Sequence, residues 1–221
     1  MASGSTKAIL AAMFANFGIA IAKFVAYVFT SSSSMLAESI HSVADTSNQA
    51  LLLMGSKRAR QAATPEHPFG FGRERYFWSF VVALVLFSLG GLFAIYEGWH
   101  KLGDTEHGVT NVQWAVAVLV LGIFLEGYSF RTAVVESRPL KGEASWWQFI
   151  RHSRAPELPV VLLEDFGALT GLVLALVGVS VAAITGDSRW DAYGTISIVV
   201  LLVIIATVLV FEMKSLLIGE S

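Results

Sequence analysis

Residues 192–211 read AYGTISIVVLLVIIATVLVF, a run of 20 residues without a charge. A helix of about 20 mostly apolar residues is long enough to cross the hydrocarbon core of a bilayer. Residues 76–96 and 166–185 are two further uncharged stretches of this kind. These three stretches predict spanning helices, so the chain is expected to be an integral, multi-pass membrane protein.

The composition of the 221 residues agrees with this interpretation. Hydrophobic residues make up 55% of the chain, charged residues only 14%, and the mean hydropathy is +0.64. Because a soluble domain carries about 25% charged residues, the composition excludes an ordinary soluble enzyme and a disordered chain. A net charge of −2 provides no basic surface for nucleic acid. The absence of cysteine excludes disulfides, thiolate metal sites and a cysteine nucleophile.

Three weaker apolar stretches complete an all-α arrangement of six helices. They cover residues 8–30, 34–54 and 112–130, and each contains polar side chains within the predicted span. The predicted spans run over about 8–30, 34–56, 75–100, 111–135, 159–185 and 190–214. Since no linker or low-complexity tract separates them, we expect residues 1–221 to form one transmembrane domain.

The basic residues predict the orientation of these helices, because short cytoplasmic loops collect Lys and Arg. With six spans, 12 of the 15 Lys and Arg residues fall on one side and 2 on the other, with Lys23 inside the first span. Both termini are then cytoplasmic. Five spans, without the second helix, would move the N-terminus outside, and the charge count does not separate the two arrangements. We favour six because the half-apolar segment 31–75 is unsuited to a surface loop.

Five acidic residues lie within the predicted spans or at their ends. A carboxylate at the centre of a spanning helix costs about 2.5–3.5 kcal/mol, so such residues face protein, water or a cation. These residues are the candidates for function. They are Glu38, Asp45, Glu126, Glu164 and Asp165.

The second span contains a pair of side chains suited to a metal. His41 and Asp45 are four residues apart, which places them on one helix face about 6 Å from each other. Glu38 precedes His41 by one turn on nearly the same face. An imidazole and a carboxylate suit Zn²⁺, and also Mn²⁺, Fe²⁺, Co²⁺ or Ni²⁺. The alternative is a hydrogen-bonded His–Asp pair that only holds helices together, and the spacing alone leaves both open.

The fifth span supplies the predicted partner of this pair. Glu164 and Asp165 precede a long apolar run with no basic residue beside them. Adjacent helical residues point about 100° apart, so we choose Asp165 as a ligand and Glu164 as a second ligand or proton carrier. The alternative is an acidic cap at a helix N-terminus. The small residues Gly167 and Gly171 would allow this helix to approach the second one closely.

The remaining candidates are accessory. Glu38 and Glu126 are candidates for proton coupling, although for Glu126 a structural ion pair with Arg131 is the favoured interpretation. Asn16 could provide an oxygen ligand, but an interhelical hydrogen bond is the more common role of such a residue. No catalytic residue is assigned.

Two stretches carry a family resemblance. Residues 31–55, SSSSMLAESIHSVADTSNQALLLMG, and residues 67–78, HPFGFGRERYFW, resemble the cation diffusion facilitator family of divalent-metal transporters. In that family a small-residue run leads into an (H/D)xxxD pair in the second helix, and the next loop carries HP[FY]GxGR. The resemblance implies a six-helix cation-efflux bundle, usually a homodimer, that exports metal from the cytoplasm or into an organelle.

The resemblance also assigns residues, and the chain departs from the family in three ways. His41, Asp45 and Asp165 fall on transport-site positions, but Val161 occupies another ligand position, for which Glu164 is the substitute. Phe71 replaces a loop histidine that binds an extra metal in some members, so no tight loop site is expected. The chain stops at residue 221, where members usually continue into a cytoplasmic domain, so we expect this domain to be absent.

The resulting hypothesis is a transporter that exports a divalent transition metal, with Zn²⁺ favoured, by proton antiport and alternating access. It requires no prosthetic group, only the bilayer, the metal and protons. The alternatives are a non-transporting partner subunit, a channel, and an intramembrane metal-dependent hydrolase. The sequence contains neither HExxH nor GxSxG, which argues against the hydrolase and against an enzyme in general.

Overall fold

The computed structural model describes residues 3–85, 111–152 and 157–218, together with isolated positions between 92 and 102. These residues form helices and no strand, which confirms the predicted all-α class. The helices are α1 (Ser3–Thr30), α2 (Ser33–Arg58), α3 (Glu74–Val85), α4 (Val112–Lys141), α5 (Trp146–His152), α6 (Glu157–Thr185) and α7 (Arg189–Ile218).

Helices α1, α2, α4, α6 and α7 coincide with the first, second, fourth, fifth and sixth predicted spans. Helix α3 begins the third span, most of whose remainder lies outside the described residues. Among the described residues, three helices are long and apolar enough to cross a membrane: Val112–Lys141, Leu158–Thr185 and Arg189–Glu212. A shorter apolar helix covers Asn16–Thr30. The number of six spans therefore stays a prediction.

A tight turn separates α1 from α2. Ser31 adopts a left-handed backbone conformation with φ of 54°, and Ser32 is the N-cap of α2. The Ser32 hydroxyl accepts a hydrogen bond from the backbone N–H of Met35 at 3.3 Å. Capping by a serine satisfies one of the N–H groups that have no partner in the first helical turn. The turn therefore sets where the polar helix α2 begins.

The helices pack so that α2 lies between α1 and α6. Helix α6 contacts α4, α7 and α2, while α2 also contacts α3 and α7. One apolar core joins these helices through fully buried side chains: Met35, Leu119, Leu172, Ile198 and Val179. Large apolar side chains elsewhere remain exposed on the outside of the bundle, among them Phe124 and Ile204. This distribution suits helices that face lipid on the outside and polar neighbours on the inside.

Candidate metal-transport site

Helix α2 presents one buried polar face to the bundle. His41 is 1% exposed and Asp45 is 7% exposed, and the distance from His41 Nε2 to Asp45 Oδ2 is 3.5 Å. Glu38 and Asn48 lie on the same face and are fully buried. The i, i+4 spacing of the pair thus has the consequence expected from the sequence, because residues four apart lie one above the other on a helix.

One edge of this face is held by α1. The Lys23 ammonium donates hydrogen bonds to Glu38 Oε2 at 3.0 Å and to Ser42 Oγ at 2.7 Å. Both Lys23 and Glu38 are 0% exposed. Lys23 therefore pairs with an acidic side chain inside the bundle. The sequence alone left open whether this lysine pairs or extends to the membrane surface.

The other edge is held by α6. The Asn48 side-chain amide donates a hydrogen bond to Glu164 Oε1 at 2.8 Å. Asp165 turns toward α4 instead, where the Ser129 hydroxyl donates to Asp165 Oδ2 at 2.9 Å. The two adjacent carboxylates thus face different helices, as the 100° between neighbouring helical residues requires. Glu164 is the α6 carboxylate whose hydrogen bond reaches α2.

His41 and Glu164 line one narrow gap between α2, α6 and α7. Its other lining residues are Leu163, Gly167, Leu202 and Ile205, and the gap is too small to hold a water molecule. Within the described part of the chain, no three His, Asp or Glu side chains are close enough together to hold a metal ion. Among the predicted ligands, His41 thus lies beside Asp45 and Glu164, whereas Asp165 turns toward α4, and the four form no ready coordination shell.

Several buried polar atoms on this face have no hydrogen-bond partner among the residues that the structure describes. They are His41 Nδ1 and Nε2, Asp45 Oδ1, Glu38 Oε1 and Asn48 Oδ1. Buried polar atoms usually have a partner, and an ion is one of the explanations for those that have none. Imidazole nitrogen and carboxylate oxygen are also the donor atoms that Zn²⁺ takes in proteins. The chemistry of these free atoms therefore fits a divalent cation.

The accessory candidates have different surroundings. Glu126 is buried on α4, but Arg131 is exposed and forms no ion pair with it among the described residues, so the favoured Glu–Arg pair is wrong. Five residues along α4 turn Arg131 about 140° around the helix axis from Glu126, so the two side chains lie on different faces. Asn16 is partly buried on α1, and no hydrogen bond joins its side chain to another described residue.

The small residues of α6 allow close packing against two neighbouring helices, α2 and α7. A Cβ atom added at Gly171 would collide with Glu38 Oε1 on α2. A Cβ atom at Gly167 would lie 2.7 Å from Ile205 Cδ1 on α7, and one at Gly178 would lie 3.2 Å from the Gly194 Cα atom of α7. Gly171 thus allows α6 to lie close to α2, and Gly167 and Gly178 allow α6 to lie close to α7.

Sequence reasoning missed a second buried polar cluster, at the N-terminus of α2. Asp191, in the first turn of α7, is 0% exposed and accepts hydrogen bonds from Ser32 Oγ at 2.8 Å, Ser33 N at 2.7 Å and Ser33 Oγ at 3.1 Å. A carboxylate is favourable there because unpaired N–H groups and the helix dipole both attract negative charge. The signal in the sequence is the serine run 31–34 together with an acidic residue at the start of the last apolar span.

The cation efflux transmembrane domain, as a family model, matches residues 9–218. The chain belongs to the cation efflux family, also called the cation diffusion facilitator family. This membership confirms the resemblance inferred from the second span and the following loop, and with it the cation-efflux type of helical bundle and the integral, multi-pass membrane location.

Two relatives of this cation efflux protein are informative. The mitochondrial proton-coupled zinc antiporter SLC30A9 of Homo sapiens is 32% identical over 221 residues, covering 99% of this chain and 39% of the human protein. Metal tolerance protein C4 of Arabidopsis thaliana is also 32% identical, covering 98% of this chain and 48% of the plant protein. The chain thus spans less than half the length of these relatives.

Proposed function

We propose that the chain exports a divalent transition metal from the cytoplasm in exchange for protons, with Zn²⁺ as the favoured substrate. The observation that carries this proposal is the arrangement around α2. His41 and Glu164, from two different helices, line one gap, and the imidazole nitrogens beside it have no hydrogen-bond partner in the described part of the chain. Family membership and the name of the human relative, a proton-coupled zinc antiporter, support the same function.

The proposed transport site consists of His41, Asp45, Glu164 and Asp165. One imidazole with carboxylates suits Zn²⁺ and also leaves room for Mn²⁺, Fe²⁺, Co²⁺ or Ni²⁺. Asn48 donates to Glu164 Oε1 and Ser129 donates to Asp165 Oδ2, so each hydrogen bond orients its carboxylate while the other oxygen can bind the metal. Closing the shell requires a small movement of α6 relative to α2, which is the type of motion that alternating access provides.

Proton coupling follows from the identity of the donor atoms. A metal binds the neutral imidazole and the ionised carboxylates, so protons and metal compete for the same atoms. Metal bound from the cytoplasm is released when protons from the other side occupy the site. His41 suits this exchange because histidine changes charge in the physiological pH range. We further propose that both termini are cytoplasmic and that the protein works as a homodimer, as the family resemblance implies.

The experiment that tests this function is metal flux in proteoliposomes with an imposed pH gradient. We expect Zn²⁺ uptake coupled to proton movement for the wild-type protein. The double variant His41→Ala/Asp45→Ala and the single variant Asp165→Asn should lose the flux while remaining folded in detergent. Asp187→Asn is the matched control, because Asp187 is an exposed carboxylate between α6 and α7.

The other possible outcomes would refute the proposed site or indicate a different function. Flux that survives in His41→Ala/Asp45→Ala would refute the proposed site. Zn²⁺ uptake without proton movement would indicate a channel. A folded protein without flux or metal binding would indicate a partner subunit that uses the polar face for assembly, and metal-dependent cleavage of a membrane peptide would indicate a hydrolase.

A further inference from the structure

The Lys23–Glu38 ion pair lies beside the proposed transport site but is not part of it. Its atoms are fully buried, with Lys23 Nζ 3.0 Å from Glu38 Oε2. The ammonium also holds Ser42 on α2. Glu38 precedes His41 by three residues, so the carboxylate lies within one helical turn of the imidazole. A carboxylate so close to a metal-binding pair would ordinarily be expected to join it.

The rotation of α2 explains why Glu38 is set apart. At 100° per residue, Glu38 and Ser42 lie within about 40° of each other on the edge that faces α1. His41 and Asn48 lie within about 20° of each other on the edge that faces α6, and Asp45 lies between the two edges. Lys23 therefore holds the edge of α2 that lies away from the Asn48–Glu164 hydrogen bond.

Glu38 nevertheless keeps one oxygen available. Oε2 accepts a hydrogen bond from Lys23, but none of the described residues gives Oε1 a hydrogen-bond partner. Oε1 points at Gly171 of α6, where there is no room for even a Cβ atom. The second oxygen thus faces the helix that also carries Glu164. The positive charge on Lys23 is what compensates Glu38 in this buried position, because an unpaired buried carboxylate is costly.

We propose that Lys23 is a specificity-determining residue, because its ion pair with Glu38 keeps this carboxylate out of the metal's ligand set. This inference rests on the proposed function. With Lys23 in place, the metal is offered one imidazole and the carboxylates of Asp45, Glu164 and Asp165. Without Lys23, Glu38 has no compensating charge of its own, and the metal at His41 becomes the group that can stabilise its ionised form. The set of ligands then gains an oxygen donor, which favours a harder cation such as Mn²⁺ over Zn²⁺.

The test compares initial rates of Zn²⁺ and Mn²⁺ uptake in proteoliposomes. We expect Lys23→Met to lower the Zn²⁺-to-Mn²⁺ ratio by about tenfold, the lower end of the effects that groups around metal ligands have on affinity. The double variant Lys23→Met/Glu38→Gln should restore the wild-type ratio, since it removes the freed carboxylate. Lys57→Met, at the exposed end of α2, is the matched control and should leave the ratio unchanged.

Three results would overturn the proposal, two of them with variants of Lys23. An unchanged ratio in folded Lys23→Met shows that the ion pair has only a structural role, and so does a ratio that stays low in the double variant. Glu38→Gln alone provides a check that does not depend on the folding of Lys23→Met. It leaves Lys23 uncompensated beside the site, so both rates should fall with the ratio unchanged. A changed ratio in Glu38→Gln would mean that Glu38 already binds the metal.

Failure of the proposed function gives a different result. If the wild-type protein transports neither metal, the antiporter is refuted while the inference about Lys23 is still testable. The Zn²⁺-to-Mn²⁺ ratio is then measured by equilibrium binding to the detergent-solubilised protein and its variants. The same four variants are compared with the wild-type protein, because the ion pair acts on the ligand set and not on the transport cycle.

Discussion

Replacing Asp191 by alanine should loosen the N-terminus of α2. The Asp191 carboxylate accepts hydrogen bonds from Ser32 Oγ, Ser33 N and Ser33 Oγ at 2.8, 2.7 and 3.1 Å. In Asp191→Ala the buried N–H of Ser33 has no acceptor, which costs about 1–3 kcal/mol. Loss of the negative charge at the helix N-terminus adds about 1 kcal/mol. We therefore expect the free energy of unfolding to fall by about 2–4 kcal/mol.

The assay is reversible unfolding in mixed micelles of mild detergent and sodium dodecyl sulfate, followed by circular dichroism. Asp191→Asn should lose only about 1 kcal/mol, because its amide oxygen can still accept from Ser33 while the charge is gone. Asp187→Asn is the control. Its backbone-capping bond to Arg189 N, 2.9 Å long, tolerates asparagine as well as aspartate. A loss below about 0.5 kcal/mol in Asp191→Ala would refute the idea that this carboxylate anchors α2 to α7.

Three further outcomes are expected from the geometry of the site. Asn48→Ala should weaken Zn²⁺ binding by about tenfold, because the amide that orients Glu164 is lost. Equilibrium binding of Zn²⁺ to the variant would measure this loss of affinity. Gly171→Ala should impair folding or flux, because the added Cβ atom would collide with Glu38. Gly127→Ala is the control and should have no such effect, because the nearest neighbour of its Cβ atom would be 4.0 Å away. Equal effects of the two substitutions would contradict the packing described. Zn²⁺ affinity should fall as the pH falls, by about tenfold per pH unit for each proton displaced, and a pH-independent affinity would exclude competition at the site.

The sequence alone was enough to predict which side chains share one face of a helix. His41 and Asp45 share a face because the geometry of an α-helix fixes the direction of residues four apart. The same rule predicted that Glu164 and Asp165 diverge by about 100°. The burial of all four was also foreseeable, since a membrane has no water to solvate a carboxylate.

The roles of Glu164 and Asp165 could not be separated from the sequence of one helix alone. The sequence favoured Asp165 as the first ligand, and this stays a prediction. The bonds of the two carboxylates differ, since Asn48 of α2 holds Glu164 and Ser129 of α4 holds Asp165. Which of two diverging side chains reaches a given helix depends on how α6 is rotated in the bundle. That rotation is set by packing against α2, α4 and α7 together.

The sequence by itself determined that this is an all-α membrane protein whose charged residues must face inward, because hydrophobicity and helical period are properties of a chain segment. Only the tertiary structure decided the partners of those charges. Lys23 is 15 residues from Glu38, and Asp191 is 159 residues from Ser32. Glu126 has a basic residue five positions along its own helix, yet no ion pair joins the two among the described residues. Such pairings depend on which helices become neighbours, and that is settled by the close packing of the whole bundle.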